Sequence, residues 1–104
     1  MQKTSPLKKA IVRTKLAIVA VEMTLEKLTK DTADLVRTAL ERKKSGDKRG
    51  AVQTMFKRRL LLRQIAKYEA MKKKLSISLD ELVKFSSEIC RLWKGKREAN
   101  RIRQ

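Results

Sequence analysis

A chain of 104 residues has room for one domain, and 41% apolar and 38% charged residues with only 3 Gly and 1 Pro is the usage of long helices and coiled coils. Twenty-eight Lys and Arg against 11 acids leave a net charge of +17, to which no His adds. Such a chain repels itself, so its partner is expected to be acidic: nucleic acid, an anionic membrane surface or an acidic protein. No apolar run approaches the ~20 residues a helix needs to cross a bilayer, and the single cysteine, Cys90, permits neither an internal disulfide nor a zinc cluster.

The N-terminus is basic, with Lys3, Lys8, Lys9, Arg13 and Lys15 ahead of the apolar run Leu16 to Val21 and no acid before Glu22. The run is too short for a signal peptide and no small-residue cleavage site follows it. A mitochondrial presequence has a similar basic, acid-poor character, which leaves the mitochondrial matrix as an alternative to a reducing, cytoplasmic setting. Because the apolar pattern continues smoothly past any cleavage point, the segment reads as part of the fold.

Ser5-Pro6 predicts a helix start, with Ser5 as the cap and Pro6 at the first helical position. From there apolar and small residues recur every seven positions. One set is Ile11, Ile18, Leu25, Thr32 and Ala39; its partner is Thr14, Val21, Leu28 and Leu35. This is an a/d seam for lengthwise packing on another helix. A second stripe, Val12, Leu16, Val19 and Met23, lies on a different face, a ridge of about 16 Å at 1.5 Å per residue. One partner helix cannot cover both faces. Either a third helix folds back on the stripe, or neighbouring copies cover it, and the second reading is preferred because little chain is left to fold back.

The first helix is expected over about 6–44. It stops at Ser45-Gly46-Asp47, where Gly46 can turn left-handed, Arg42, Lys43 and Lys44 suit the negative helix end, and Asp47 can cap the next helix. So short a break implies an antiparallel hairpin. The second helix, about 48–94, carries Leu61, Tyr68, Leu75, Leu82 and Ile89, flanked by Ile65, Leu79 and Trp93 and interrupted by Lys72 and Ser86. Ser78-Leu79-Asp80-Glu81 fits a capping box, so the helix either breaks near 76–78 and a third segment begins, or runs on unbroken. Residues 1–95 thus form one helical hairpin domain of all-α class, and 96–104 a basic tail expected to fray.

No catalytic constellation emerges, and neither enzyme activity, a cofactor, a metal nor a small-molecule substrate is expected. The acids are sparse, and Lys27 with Asp31 and Lys30 with Asp34 read as helix-surface pairs. No glycine-rich phosphate loop is present. Cys90, beside Ile89, reads as a half-buried packing residue, not a nucleophile.

Charge is the informative feature. Thirteen Lys and Arg lie between Arg42 and Lys74 against only Asp47 and Glu69, whereas Leu7 to Leu40 holds 7 basic and 4 acidic residues. A merely solvated face mixes both signs. The residues expected to meet a membrane or other polyanion are Lys8, Lys9, Arg13, Arg42, Lys43, Lys44, Lys48, Arg49, Lys57, Arg58, Arg59, Arg63 and Lys67. Val12, Leu16, Val19 and Met23 are expected to meet other subunits. Single-strand nucleic-acid binders add aromatic platforms to charge, and only Phe56, Tyr68, Phe85 and Trp93 are aromatic here, the last three on or beside the seam. Phosphate-only binding, as by a basic helical protein within a ribosome-like RNA assembly, remains the alternative.

Taken together, the helix opening Leu7-Lys8-Lys9-Ala10-Ile11, the turn, the stretch Gly46-Asp47-Lys48-Arg49-Gly50-Ala51-Val52 and the run Met55-Phe56-Lys57-Arg58-Arg59 resemble the helical-hairpin core of the ESCRT-III, or charged multivesicular body protein, family. Gly46, Lys48 and Ala51 fall on that family's G-x-K-x-x-A stretch after the turn, and Lys57 to Arg59 on its following basic run. The resemblance covers roughly Leu7 to Ile89. It implies a subunit that polymerises into filaments with copies of itself or related subunits, peripherally on endosomal or other intracellular membranes, and remodels or severs them. Family members continue into an acidic C-terminal half that closes the protein and recruits an ATPase. This sequence ends in basic residues at Gln104, as expected of either a core fragment or a short member that does not close.

Overall fold

A computed structural model of the chain describes residues 5–103, with side chains described as far as Gly95. Lys3 and the side chains of the 96–104 tail lie outside the described residues. Two helices account for the fold: α1, Pro6–Lys44, and α2, Lys48–Arg103, packed along one another as an all-α hairpin. The hairpin is a thin rod, 87 × 26 × 14 Å.

Local chemistry accounts for both ends of α1. Ser5 caps α1, its Oγ accepting from the Lys8 amide at 3.2 Å, with Pro6 next in line. At the other end Gly46 takes φ +89°. The Asp47 amide then donates to the Arg42 carbonyl at 2.8 Å and the Gly46 amide to Lys43 at 3.2 Å, the paired bonds of a Schellman closure. Asp47 immediately caps α2, its Oδ1 accepting from the Gly50 amide at 2.9 Å. Gly50 is buried, and a Cβ there would collide with the Asp47 carboxylate. The missing side chain is what lets that cap sit in place.

The seam follows the seven-residue beat of the sequence. Val21, Thr32 and Ala39 are buried on α1, with Ile11, Thr14, Ile18, Leu25, Leu28 and Leu35 half-buried. On α2, Thr54 is buried and Arg58, Leu61, Ile65, Tyr68, Lys72, Leu75, Leu79, Leu82, Ser86 and Ile89 are half-buried in steps of three and four. Lys72 and Ser86 occupy seam positions, the polar interruptions that the apolar pattern of α2 predicts. Small residues (Ala39, Gly50, Thr54) gather at the closed end, where the helices are tied by the turn; larger ones fill the rest. The buried hydroxyls are satisfied locally: Thr32 Oγ1 donates to the Thr29 carbonyl at 2.7 Å and Thr54 Oγ1 to Gly50 at 2.8 Å.

Of the two alternatives at 76–78 the structure takes the unbroken one: α2 is one helix, and among the described residues no third segment forms. Ser78 lies inside a helix whose amides already have carbonyl partners, so the capping box has nothing to cap. The helix also runs past its expected end near 94, through Gly95 to Arg103, since the Lys, Arg, Glu and Ala of that stretch are good helix formers and one interior Gly costs only about 1 kcal/mol. Cys90 and Trp93 are exposed, not seam-packed. Contacts between Glu22 and Lys72 and between Arg42 and Thr54 set an antiparallel register that brings the start of α1 level with residues 88–90. Trp93 is past the end of α1, and Cys90 is at its limit on the seam's edge. Lys27–Asp31 and Lys30–Asp34 make no ion pair within 4.0 Å; a cation placed before the acid is the weaker orientation on a helix.

With a single interface, a charge in it should be destructive. Leu28→Asp should abolish cooperative melting, because an unpaired carboxylate at a half-buried position of the only seam is costly, while Lys44→Glu, outside the seam, should melt within a few degrees of the parent. Thermal circular dichroism compares the two. Equal melting would remove the seam as the source of stability.

Candidate polyanion and assembly surfaces

Helical phase places the charged and apolar residues outside the seam. Twelve of the 13 expected polyanion-binding residues are exposed, and Arg58 is half-buried. They do not form one face. Lys48, Arg49, Lys57, Arg59, Arg63 and Lys67 project around α2 as a collar on the closed half of the rod, together with Lys43 and Lys44 from the end of α1. Lys8, Lys9 and Arg13 belong to the open end, with Arg13 and Arg42 about 44 Å apart along α1 at 1.5 Å per residue.

Three of the cations have structural partners or positions of their own. Arg42 Nη1 reaches across the turn to the Gly50 carbonyl at 3.3 Å and Thr54 Oγ1 at 3.1 Å, fastening the closed end. Arg58 is half-buried at a seam position, with its Nε shielded from solvent and without a hydrogen-bond partner. Lys72, also at the seam, lies 3.5 Å from Glu22, both side chains being more than two-fifths exposed. A pair so hydrated contributes at most about 1 kcal/mol.

Apolar side chains are interleaved with the collar. Phe56 (61% exposed) and Leu60 (46%) share the outward side of α2 with Arg59, Arg63 and Lys67. Beside them an open groove of about 720 Å³ runs between the helices, floored by Val36, Ala39, Leu40, Met55 and Leu62 and edged by Lys43, Lys48, Arg58 and Arg59. No acidic residue lines it. The sequence reading missed this groove, whose α1 and α2 walls meet only once the register is known; the apolar residues Val36, Met55 and Leu62 beside the seam positions were its available signal.

The second stripe of α1 is uncovered. Val12, Leu16, Val19 and Met23 are 50–66% exposed, roughly 150° around α1 from the seam at 100° per residue. No part of the described chain folds onto it. Over residues 11–25, α1 is therefore apolar on two nearly opposite sides, one against α2 and one facing outward.

The described residues hold no group of three or more His, Cys, Asp or Glu placed for a metal ion. No described helix is long and apolar enough to cross a membrane. Comparison with protein-family profiles, characterised proteins and solved structures finds no match for the chain.

The two cations in the seam make a sharp expectation. Arg58→Leu removes a shielded donor without a partner, which costs about 1–3 kcal/mol, and Lys72→Leu substitutes apolar packing for a weak pair. Each variant should melt several degrees above the parent, since about 1 kcal/mol shifts a domain of this size by roughly 4–8 °C. A lower melting temperature in both would mean that these side chains make contributions the geometry does not reveal.

Proposed function

We propose that the chain is an ESCRT-III-like assembly subunit that attaches to acidic membranes through its cationic collar and polymerises through its apolar outer faces, thereby remodelling or severing the membrane. The observation that carries this reading is the segregation of surfaces on a rod with no enclosed core. The outward side of α2 is cationic with interleaved Phe56 and Leu60, whereas the outward side of α1 is apolar at the open end. The two lie on opposite sides of the hairpin, so attachment and assembly can proceed together.

Interleaving favours lipid over RNA. Cations draw the rod to anionic headgroups, at about 1 kcal/mol for each basic side chain near the surface, and Phe56 and Leu60 can enter the interfacial layer between them. A single-strand binder would present several stacking platforms, and Phe56 is the one aromatic side chain in the collar. In the setting this reading implies, the protein is peripheral on endosomal or other intracellular membranes.

The chain should co-sediment with vesicles containing anionic lipid and be released by salt, since screening acts over about 8 Å at physiological ionic strength. Arg59→Ala with Arg63→Ala should lower partitioning roughly thirty-fold, the equivalent of about 2 kcal/mol. Binding to structured RNA at physiological salt without vesicle binding would favour the ribosome-like reading instead. Assembly is tested separately: Leu16→Ser with Met23→Ser should leave the helical content and vesicle attachment intact while abolishing large assemblies in light scattering and negative-stain images. Filaments formed by that double variant would show that the stripe is not a subunit contact.

A further inference from the structure

The outward stripe of α1 is longer than its apolar part and is complementary to itself. The same a/d phase that carries Val12, Leu16, Val19 and Met23 places Lys9 before them and Glu26 after them, both exposed. Laid antiparallel against a second copy, the positions pair as Lys9 with Glu26, Val12 with Met23 and Leu16 with Val19, and the same pairs recur in reverse order. An antiparallel pair of identical helices requires this kind of two-fold match. On the flank, Lys15 lies near the level of the copy's Glu22 in the same alignment.

From this self-complementarity we infer that the outward face of α1 docks a second copy of the chain as a two-fold antiparallel pair, α1 against α1, with α2 of each copy on the outside. This rests on the assembly reading above and supplies its partner and register. The charges select the occupant. A lipid surface would meet Glu26 and the nearby Glu22 at one end of the stripe, where an anionic headgroup is repelled. A copy instead meets each acid with a cation. The contact from Lys9 to Glu26 is about 26 Å long at 1.5 Å per residue, which is short for a permanent dimer. It is therefore a weak contact, reinforced when copies are concentrated on a surface. Back-to-back pairing also turns both cationic α2 faces outward, away from each other, so two strongly basic rods can approach through an apolar ridge.

Charge exchange tests the register. Lys9→Glu should weaken self-association in sedimentation velocity roughly tenfold or more, because two attractive pairs per dimer become repulsive. It does so although it lowers the net charge, which alone would favour association. Glu26→Lys should weaken it similarly, and the double variant carrying both changes should recover the parent affinity. Mixing the two single variants should give a heterodimer tighter than either self-pair. If neither exchange alters association while Leu16→Ser with Met23→Ser still prevents assembly, the stripe remains a subunit contact but the antiparallel pairing is wrong. If the parent chain stays monomeric up to its solubility limit, or if the double exchange fails to recover affinity while remaining folded by circular dichroism, the pairing is likewise overturned.

Discussion

Everything in this molecule depends on one interface. Two helices in an antiparallel hairpin share a single seam, and with Val21 and Ala39 as its buried apolar residues and no large side chain fully enclosed among the described residues, that seam has little depth. A globular domain places most of its apolar side chains inside. Here the rod has no inside, and each helix must present most of its circumference outward. The surface chemistry of this chain is thus a direct projection of its sequence, phase by phase, and function is read from which phase carries charge and which carries Leu, Val and Met.

The closed end shows how the seam is held in register. The Schellman turn at Gly46, the Asp47 cap made possible by Gly50, and the reach of Arg42 to Gly50 and Thr54 fix how the helices begin to pair. From that point the small residues Ala39 and Thr54 keep the backbones close. Farther along, Lys72 beside Glu22 gives the seam a polar marker. A one-turn slip would set Lys72 against apolar side chains and leave Arg42 without its acceptors, so polar residues that contribute little stability still discriminate against alternative registers.

Much of the architecture was legible in the sequence because a lengthwise helix pair has a periodic signature. Ile11, Ile18, Leu25, Thr32 and Ala39, with Val21, Leu28 and Leu35, could be assigned to the seam from spacing alone, and Ser5, Pro6, Gly46 and Asp47 announced the helix ends by their individual chemistry. The points that spacing left open or misplaced share a cause. Ser78 to Glu81 fits a helix start, but a local motif cannot report that the preceding residues are already helical and have satisfied its amides. Trp93 has seam periodicity, yet whether a partner helix stands opposite depends on the lengths of both helices. For the surfaces, spacing identified the stripe from Val12 to Met23 because it has its own period, whereas the groove at the closed end draws on both helices and appears only once they are in register. The cations were countable from the sequence, but their arrangement as a collar, with Arg42 and Arg58 drawn toward the turn and the seam, was not.

In the proposed function the two outward sides of the rod face different partners: α2 toward the membrane and α1 toward protein. Spin labels read this directly in a Cys90→Ser background, one introduced by Ala70→Cys on the outer side of α2 and one by Ala33→Cys on the outer side of α1, both positions being exposed. With anionic vesicles, power-saturation measurements should show the α2 label gaining access to oxygen and losing access to an aqueous reagent, while the α1 label gains no access to oxygen. An α1 label immersed in lipid with the α2 label left in water, or no change at either position on vesicles that bind the protein, would contradict the account.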